Sequence, residues 1–140
     1  MAYCSQDDLL KMIPLEELAE ITSESGGTPD PAVVAEAIAK ADSEIDSYCA
    51  VQYLVPFAPV PDRVRSLSVD IALYHLYSRR SVAPMVRRQK YEDAMAQLKA
   101  IAQGTAVLNI AGNPATATGR EVSELASETR VFSRTTQGRW

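Results

Sequence analysis

The chain has 140 residues, 46% of them apolar and 23% charged, which fits one soluble domain with room for a tail. Its start, MAYCSQDD, is acidic and lacks a basic-then-apolar run, so no signal peptide is expected; the longest uncharged stretch, 100–119, is too rich in glycine, asparagine and threonine to span a bilayer. The net charge of −4 hides a division: residues 1–60 hold 11 acidic and 2 basic side chains (net −9), and residues 61–140 hold 7 and 12 (net +5). Such a split suits head-to-tail packing of acidic on basic surfaces, or an acidic partner.

Ser5 is placed to cap a short helix running to about Met12, with Asp7 and Asp8 in its first turn. Pro14 opens a second, LEELAEIT, and the SESGGT stretch at 23–28 is a loop broken by Gly26 and Gly27. Asp30-Pro31 is a cap followed by proline at the first helical position. The amphipathic helix it starts, about 31–50, has Val34, Ala37, Ile38, Ala41, Ile45, Tyr48 and Cys49 on its dry side. Glu36, Lys40, Asp42, Ser43, Asp46 and Ser47 are expected on its wet side.

Prolines 56, 59 and 61 forbid regular helix over 51–61, yet Tyr53, Leu54, Val55, Phe57 and Val60 are too apolar for a free loop. An ordered crossover against the core is predicted. The next stretch, 62–80, is apolar nearly all round, with charges at its ends and Asp70 as the interior exception. That pattern marks a buried central helix with neighbours on several sides. Pro84 begins a last long helix to about 103, with Tyr91, Ala94, Met95, Leu98 and Ile101 as its stripe, Arg87 and Arg88 facing water and Gly104 as its stop.

Ala106, Val107, Leu108 and Ile110 are compatible with one short strand. Residues 113–140 have too few large apolar side chains to fold alone. The expectation is therefore a mainly α protein: a helical body at 1–112 around the central helix, a short β segment, and an extended C-terminal tail at 113–140.

Chemistry is sparse. The single histidine, His75, lies on the most buried helix and reads as a core histidine with a hydrogen-bonded ring. Cys4 and Cys49 have no CxxC partner, and one histidine with two distant cysteines makes no zinc site. Asp42, Glu44 and Asp46 lack the glycine and distal glutamate of a calcium loop. No phosphate-binding glycine motif occurs. No catalytic residue, metal or cofactor is assigned, and an enzyme built on Asp70 or the tyrosines has no constellation to support it. Arg79, Arg80, Arg87 and Arg88 form a basic corner around Pro84, opposite in sign to Asp42 and Asp46; these six are the candidate inter-subunit residues. The same arginines support one alternative, a small helical DNA-binding regulator, against which stand the acidic first half and the lack of a recognition-helix pattern.

Taken in order, Asp8-Leu9, AIAKADSEIDSYCAVQYLVPF at 37–57, IALYHLYSRR at 71–80, Tyr91 with AMAQLKAIAQG to 104, and RVFSR at 130–134 resemble the Mu-like phage head–tail adaptor (connector, or head-completion) proteins. The resemblance covers most of the chain. Gln52 departs from the pattern, standing where a basic residue is expected. The resemblance implies a non-enzymatic virion subunit of the head–tail neck, assembled in the host cytoplasm. It further implies a homo-oligomeric, dodecameric ring that docks under the portal protein and receives a downstream connector, stopper or tail protein. DNA would only pass through the channel, without sequence preference. The tail would bind the portal through Arg120 and through Arg130 and Arg134 as forked donors to carboxylates, with Val131, Phe132 and Trp140 as apolar anchors.

Overall fold

The central helix needs cover on every side, and the other elements are arranged to give it. In a computed structural model, which describes residues 2–81, 83–108 and 110, five helices follow one another: α1 (Gln6–Leu10), α2 (Leu15–Thr22), α3 (Pro31–Cys49), α4 (Asp62–Arg79) and α5 (Met85–Gln103). The protein is mainly α. Val64, Leu67, Ser68, Val69, Ile71, Ala72, Leu73, Leu76 and Tyr77 of α4 are all buried. Helix α3 packs along one side of α4 and α5 along another, while α1 and α2 close the remainder. No helix among the described residues is long and apolar enough to cross a membrane.

Local chemistry sets the boundaries. Ser5 caps α1 reciprocally with Asp8, each side chain accepting from the other's backbone N–H. The Asp30 side chain accepts from Ala32 N–H at 2.9 Å and Pro31 occupies the first turn of α3, as its sequence predicts. Gly104 ends α5 at φ +80°, a left-handed conformation that costs glycine little. The buried stripe of α3, made of Val34, Ala37, Ile38, Ala41, Ile45 and Cys49, meets α4, and Ala94, Leu98 and Ile101 of α5 complete the core.

The proline-rich crossover is pinned as expected, with one exception. Tyr53 and Phe57 are buried, Val55 and Val60 pack against the core, and Phe57 sits between the rings of Tyr3 and Tyr53 at 5.8 and 6.1 Å. Leu54 instead is exposed.

The expected short strand does not form: residues 106–108 and 110 are irregular, and no strand occurs among the described residues. Its backbone is committed elsewhere. Ala106 N–H reaches the Ala100 carbonyl at 3.1 Å, and Leu108 gives its N–H to the Tyr53 hydroxyl at 2.7 Å and accepts from that hydroxyl at 3.4 Å. With its only backbone donor given to the tyrosine, Leu108 has no N–H left for a ladder. The body–tail boundary at 112/113 and the extended tail lie outside the described residues.

Ile71 has no solvent exposure. Replacing it by aspartate (Ile71→Asp) places an unpaired carboxylate in the tightest part of the core, with an expected cost of roughly 4 kcal/mol or more. Chemical denaturation of the variant beside the parent checks this. Equal midpoints would mean that α4 is not the central helix.

Candidate interaction surface

Of the six residues expected at an inter-subunit surface, the structure keeps some outside and turns others inward. Asp42 is the plainest correction. Its residue is only 9% exposed, and its carboxylate accepts from Tyr3 N–H at 2.9 Å and from the Ser68 hydroxyl at 2.7 Å. The N-terminal segment lies over this side of α3, which helical periodicity had marked as wet. A carboxylate so engaged is withdrawn from any acidic outer face. Asp46 is half-buried and accepts from the Tyr3 hydroxyl, which in turn accepts from Phe57 N–H at 3.1 Å. Tyr3 thus ties the N-terminal segment to α3 and to the crossover.

Burial pushes the Asp42 carboxyl above the usual aspartate range, and the Asp46 charge adds to the rise; the bonds from Ser68 and Tyr3 oppose it. Cys4 lies 3.2 Å from the Ser68 hydroxyl, and burial raises its thiol to about 11. The serine hydroxyl has one proton, and the shorter, charge-assisted bond to Asp42 takes it. Cys49, buried near Asp46, is raised to about 11 as well. Both thiols are therefore poor nucleophiles at neutral pH.

Arg79 and Arg80 stay exposed but are occupied. Their guanidinium groups donate to the carbonyls of Ile21 at 3.5 Å and Ser23 at 2.8 Å. These carbonyls belong to the C-terminal end of α2, a helix with no basic residue in its own last turn. Cations there meet the negative end of the helix dipole. Arg87, expected to face water, is half-buried, and its Nη1 is buried without a hydrogen-bond partner. It faces Tyr77, whose hydroxyl donates to Glu17, and its charge reaches Asp70. Arg88 is exposed and pairs with Glu92 at 3.3 Å, a surface contact of small energetic weight. Hence only Arg79, Arg80 and Arg88 of the basic corner remain on the outside, with Glu36 as an exposed acid on α3.

Sequence reasoning anticipated a hydrogen-bonded His75 but not its company. Its Nε2 lies 2.6 Å from Glu44 Oε1, and the other Glu44 oxygen accepts from the Tyr91 hydroxyl at 3.4 Å. Tyr91 stacks on Tyr74 with ring centroids 4.1 Å apart, and His75 meets Tyr91 edge-on at 5.9 Å. This half-buried cluster joins α3, α4 and α5 at one level. In the sequence Glu44 stands out only as part of a rejected calcium loop, and the packing of the three helices is what singles it out. Gln52, where a basic residue was expected, donates to the Ala102 carbonyl at 3.3 Å in the last turn of α5. A cation there would meet a helix C-terminus, so the amide keeps the contact and gives up the charge. Among the described residues no three His, Cys, Asp or Glu side chains are grouped to hold a metal ion. Arg120, Arg130, Val131, Phe132, Arg134 and Trp140 lie outside the described residues.

Two variants probe this arrangement. Asp42→Ala leaves the Tyr3 N–H and the Ser68 hydroxyl without their acceptor in a dry site, at an expected cost of about 2–4 kcal/mol in urea unfolding. Asp70 gives a test in pH. Burial raises its carboxyl above the usual range, against the pull of Lys90 and Arg87. The folded chain therefore binds this proton more readily than the unfolded chain, so the ionised group costs stability at neutral pH. That cost is relieved as pH falls through the raised value towards the unfolded one. Asp70→Asn is expected to melt above the parent at pH 7, with the gap closing towards pH 4; calorimetry across that range reads it.

Comparison with known proteins gives a consistent result. The family model described as Bacteriophage Mu, Gp36 matches residues 3–126. The Mu-like prophage FluMu protein gp36 of Haemophilus influenzae is 29% identical over 135 residues, covering 96% of this chain and 94% of that protein. Gene product J of Escherichia phage Mu is 25% identical over 141 residues, covering 99% of both.

Proposed function

The chain belongs to the Bacteriophage Mu, Gp36 family, and on that premise we propose that it is a structural head–tail connector of a tailed phage. In this reading it forms a ring, twelve-fold by resemblance, that docks under the portal and links the filled head to a downstream connector, stopper or tail protein. Its place is the neck of the virion, reached after assembly in the host cytoplasm, and DNA passes through the ring without sequence recognition. The observation that carries the reading is the family match over residues 3–126, nearly the whole helical body. The body's chemistry is in keeping with it: the polar side chains described above join helices to one another.

Two attachments follow. Neighbouring subunits pack head-to-tail, and the pairing first expected is revised by the fold: Arg79, Arg80 and Arg88 are the outward cations, Glu36 is an outward acid, and Asp42 takes no part. The tail makes the portal contact through Arg120, Arg130, Val131, Phe132, Arg134 and Trp140. The 28 residues from 113 to 140 span up to about 90 Å at roughly 3.3 Å each, enough to leave the body and run along a neighbouring ring.

The test is sizing of the purified chain by mass and negative-stain imaging, followed by co-sedimentation with DNA-filled heads lacking the connector. Rings that sediment with the heads are expected. Removing residues 120–140 should leave melting within a few degrees of the parent and abolish co-sedimentation. A truncated chain that binds like the parent would move the attachment from the tail to the body, and a parent chain that never binds heads would end the connector reading.

A further inference from the structure

Two segments that meet at one end of the bundle carry no charge. Residues 50–61 and 100–110 contain no Asp, Glu, Lys or Arg. Here α3 and α5 end and α4 begins. The two uncharged segments are bound together by the Tyr53 hydroxyl on the Leu108 backbone and by Gln52 on the Ala102 carbonyl. These segments expose apolar side chains: Val51 is 61% exposed, Leu54 75% and Val107 60%. Exposed apolar side chains on two pinned, uncharged segments suit a place where another molecule sits.

The described part of the chain ends here, at Ile110. Residues 111–121 contain no leucine, isoleucine, valine or aromatic side chain, and the first is Val122. The stretch next in sequence therefore offers the cap little apolar cover, and the apolar tail residues assigned to the partner follow it in the chain. We propose that the cap made by these two uncharged segments is a docking face for an apolar surface on the same protein that receives the tail, so that body and tail engage one partner. The proposal rests on the connector reading above, in which that partner is the portal protein. It deepens it by naming the face of the body that meets the portal: Val51 and Val107, flanking the Tyr53–Leu108 bonds. Desolvating a charge against such a face is costly whatever its sign.

The test uses the full chain and heads lacking the connector. The native thiols are buried, so Val51→Cys or Val107→Cys offers a selective site for a benzophenone maleimide. On irradiation of the complex, cross-links to the portal subunit are expected. Cross-links instead to residues 111–140, or to another copy of this chain, would overturn the proposal and identify the occupant as the tail or a neighbouring subunit. In parallel, Val51→Glu with Val107→Glu, and the corresponding pair of lysine substitutions, should each weaken binding to heads at least tenfold while melting stays near that of the parent. Parent-like binding by both pairs would remove the cap from the interface and leave the connector reading standing. Tighter binding by the lysine pair would show an acidic partner surface and overturn the apolar assignment. Failure of the unsubstituted chain to bind heads would overturn the connector reading, and this assignment with it.

Discussion

The fold depends on one constraint: α4 is apolar on nearly every side and must be covered on every side. A helix with one dry stripe is satisfied by a single partner, but α4 requires at least three. Helices α3 and α5 cover the largest part, and the short α1 and α2 are recruited to the rest. This explains why a chain with only three long helices keeps two short ones. Neither is long enough to be stable alone in water, and both are held by what they bury. Leu9 and Leu18, the best-buried residues of these helices, have no solvent exposure.

Covering a helix with apolar contact does not by itself fix how its neighbours are placed along it. The polar seams do that. Ser68 of α4 meets Asp42 of α3, His75 of α4 meets Glu44 of α3, and Tyr77 of α4 meets Glu17 of α2. The first two pairs lie on one face of α4, seven residues apart, opposite acids two residues apart on α3. Sliding α3 by one turn would break both together and strand Ser68 and Asp42 in a dry interface, a penalty that apolar contact alone cannot impose. Burial still costs Asp42 something, as its raised proton affinity shows. Its hydrogen bonds offset part of that cost and tie the N-terminal segment down as well.

The two ends of the bundle differ in character. At one end the arginines of the α4–α5 turn reach back to the C-terminus of α2, so charges that look like a binding patch in the sequence are partly consumed in holding a short helix. At the other end the proline-rich crossover and the segment after α5 are sealed to each other by a tyrosine hydroxyl and a glutamine amide, with no charge in either segment. The same chain thus presents one end whose arginines are self-occupied and another whose connecting segments are uncharged and partly outward-facing.

Local rules set much of this. Caps, prolines and the closing glycine place the helix ends within a residue or two, because each is an interaction among neighbours in the chain. The all-round apolarity of residues 62–80 also announces a buried helix, and the motifs that resemble the Mu-like connectors can be read in the linear order of residues. What the sequence could not determine are contacts made by residues far apart. Periodicity puts Asp42 on the wet side of α3 because it knows only α3; Tyr3, 39 residues away, covers that side. It leaves Arg87 facing water because α2 and its Glu17 are not in the window. It also favours a strand at 106–110 because β-branched and aliphatic residues suit one, whereas the Tyr53 hydroxyl, 55 residues away, takes both backbone groups of Leu108. Local chemistry decided where the helices begin and end; only tertiary packing decided which of their polar groups remain for a partner, since a side chain's exposure is a property of what folds over it.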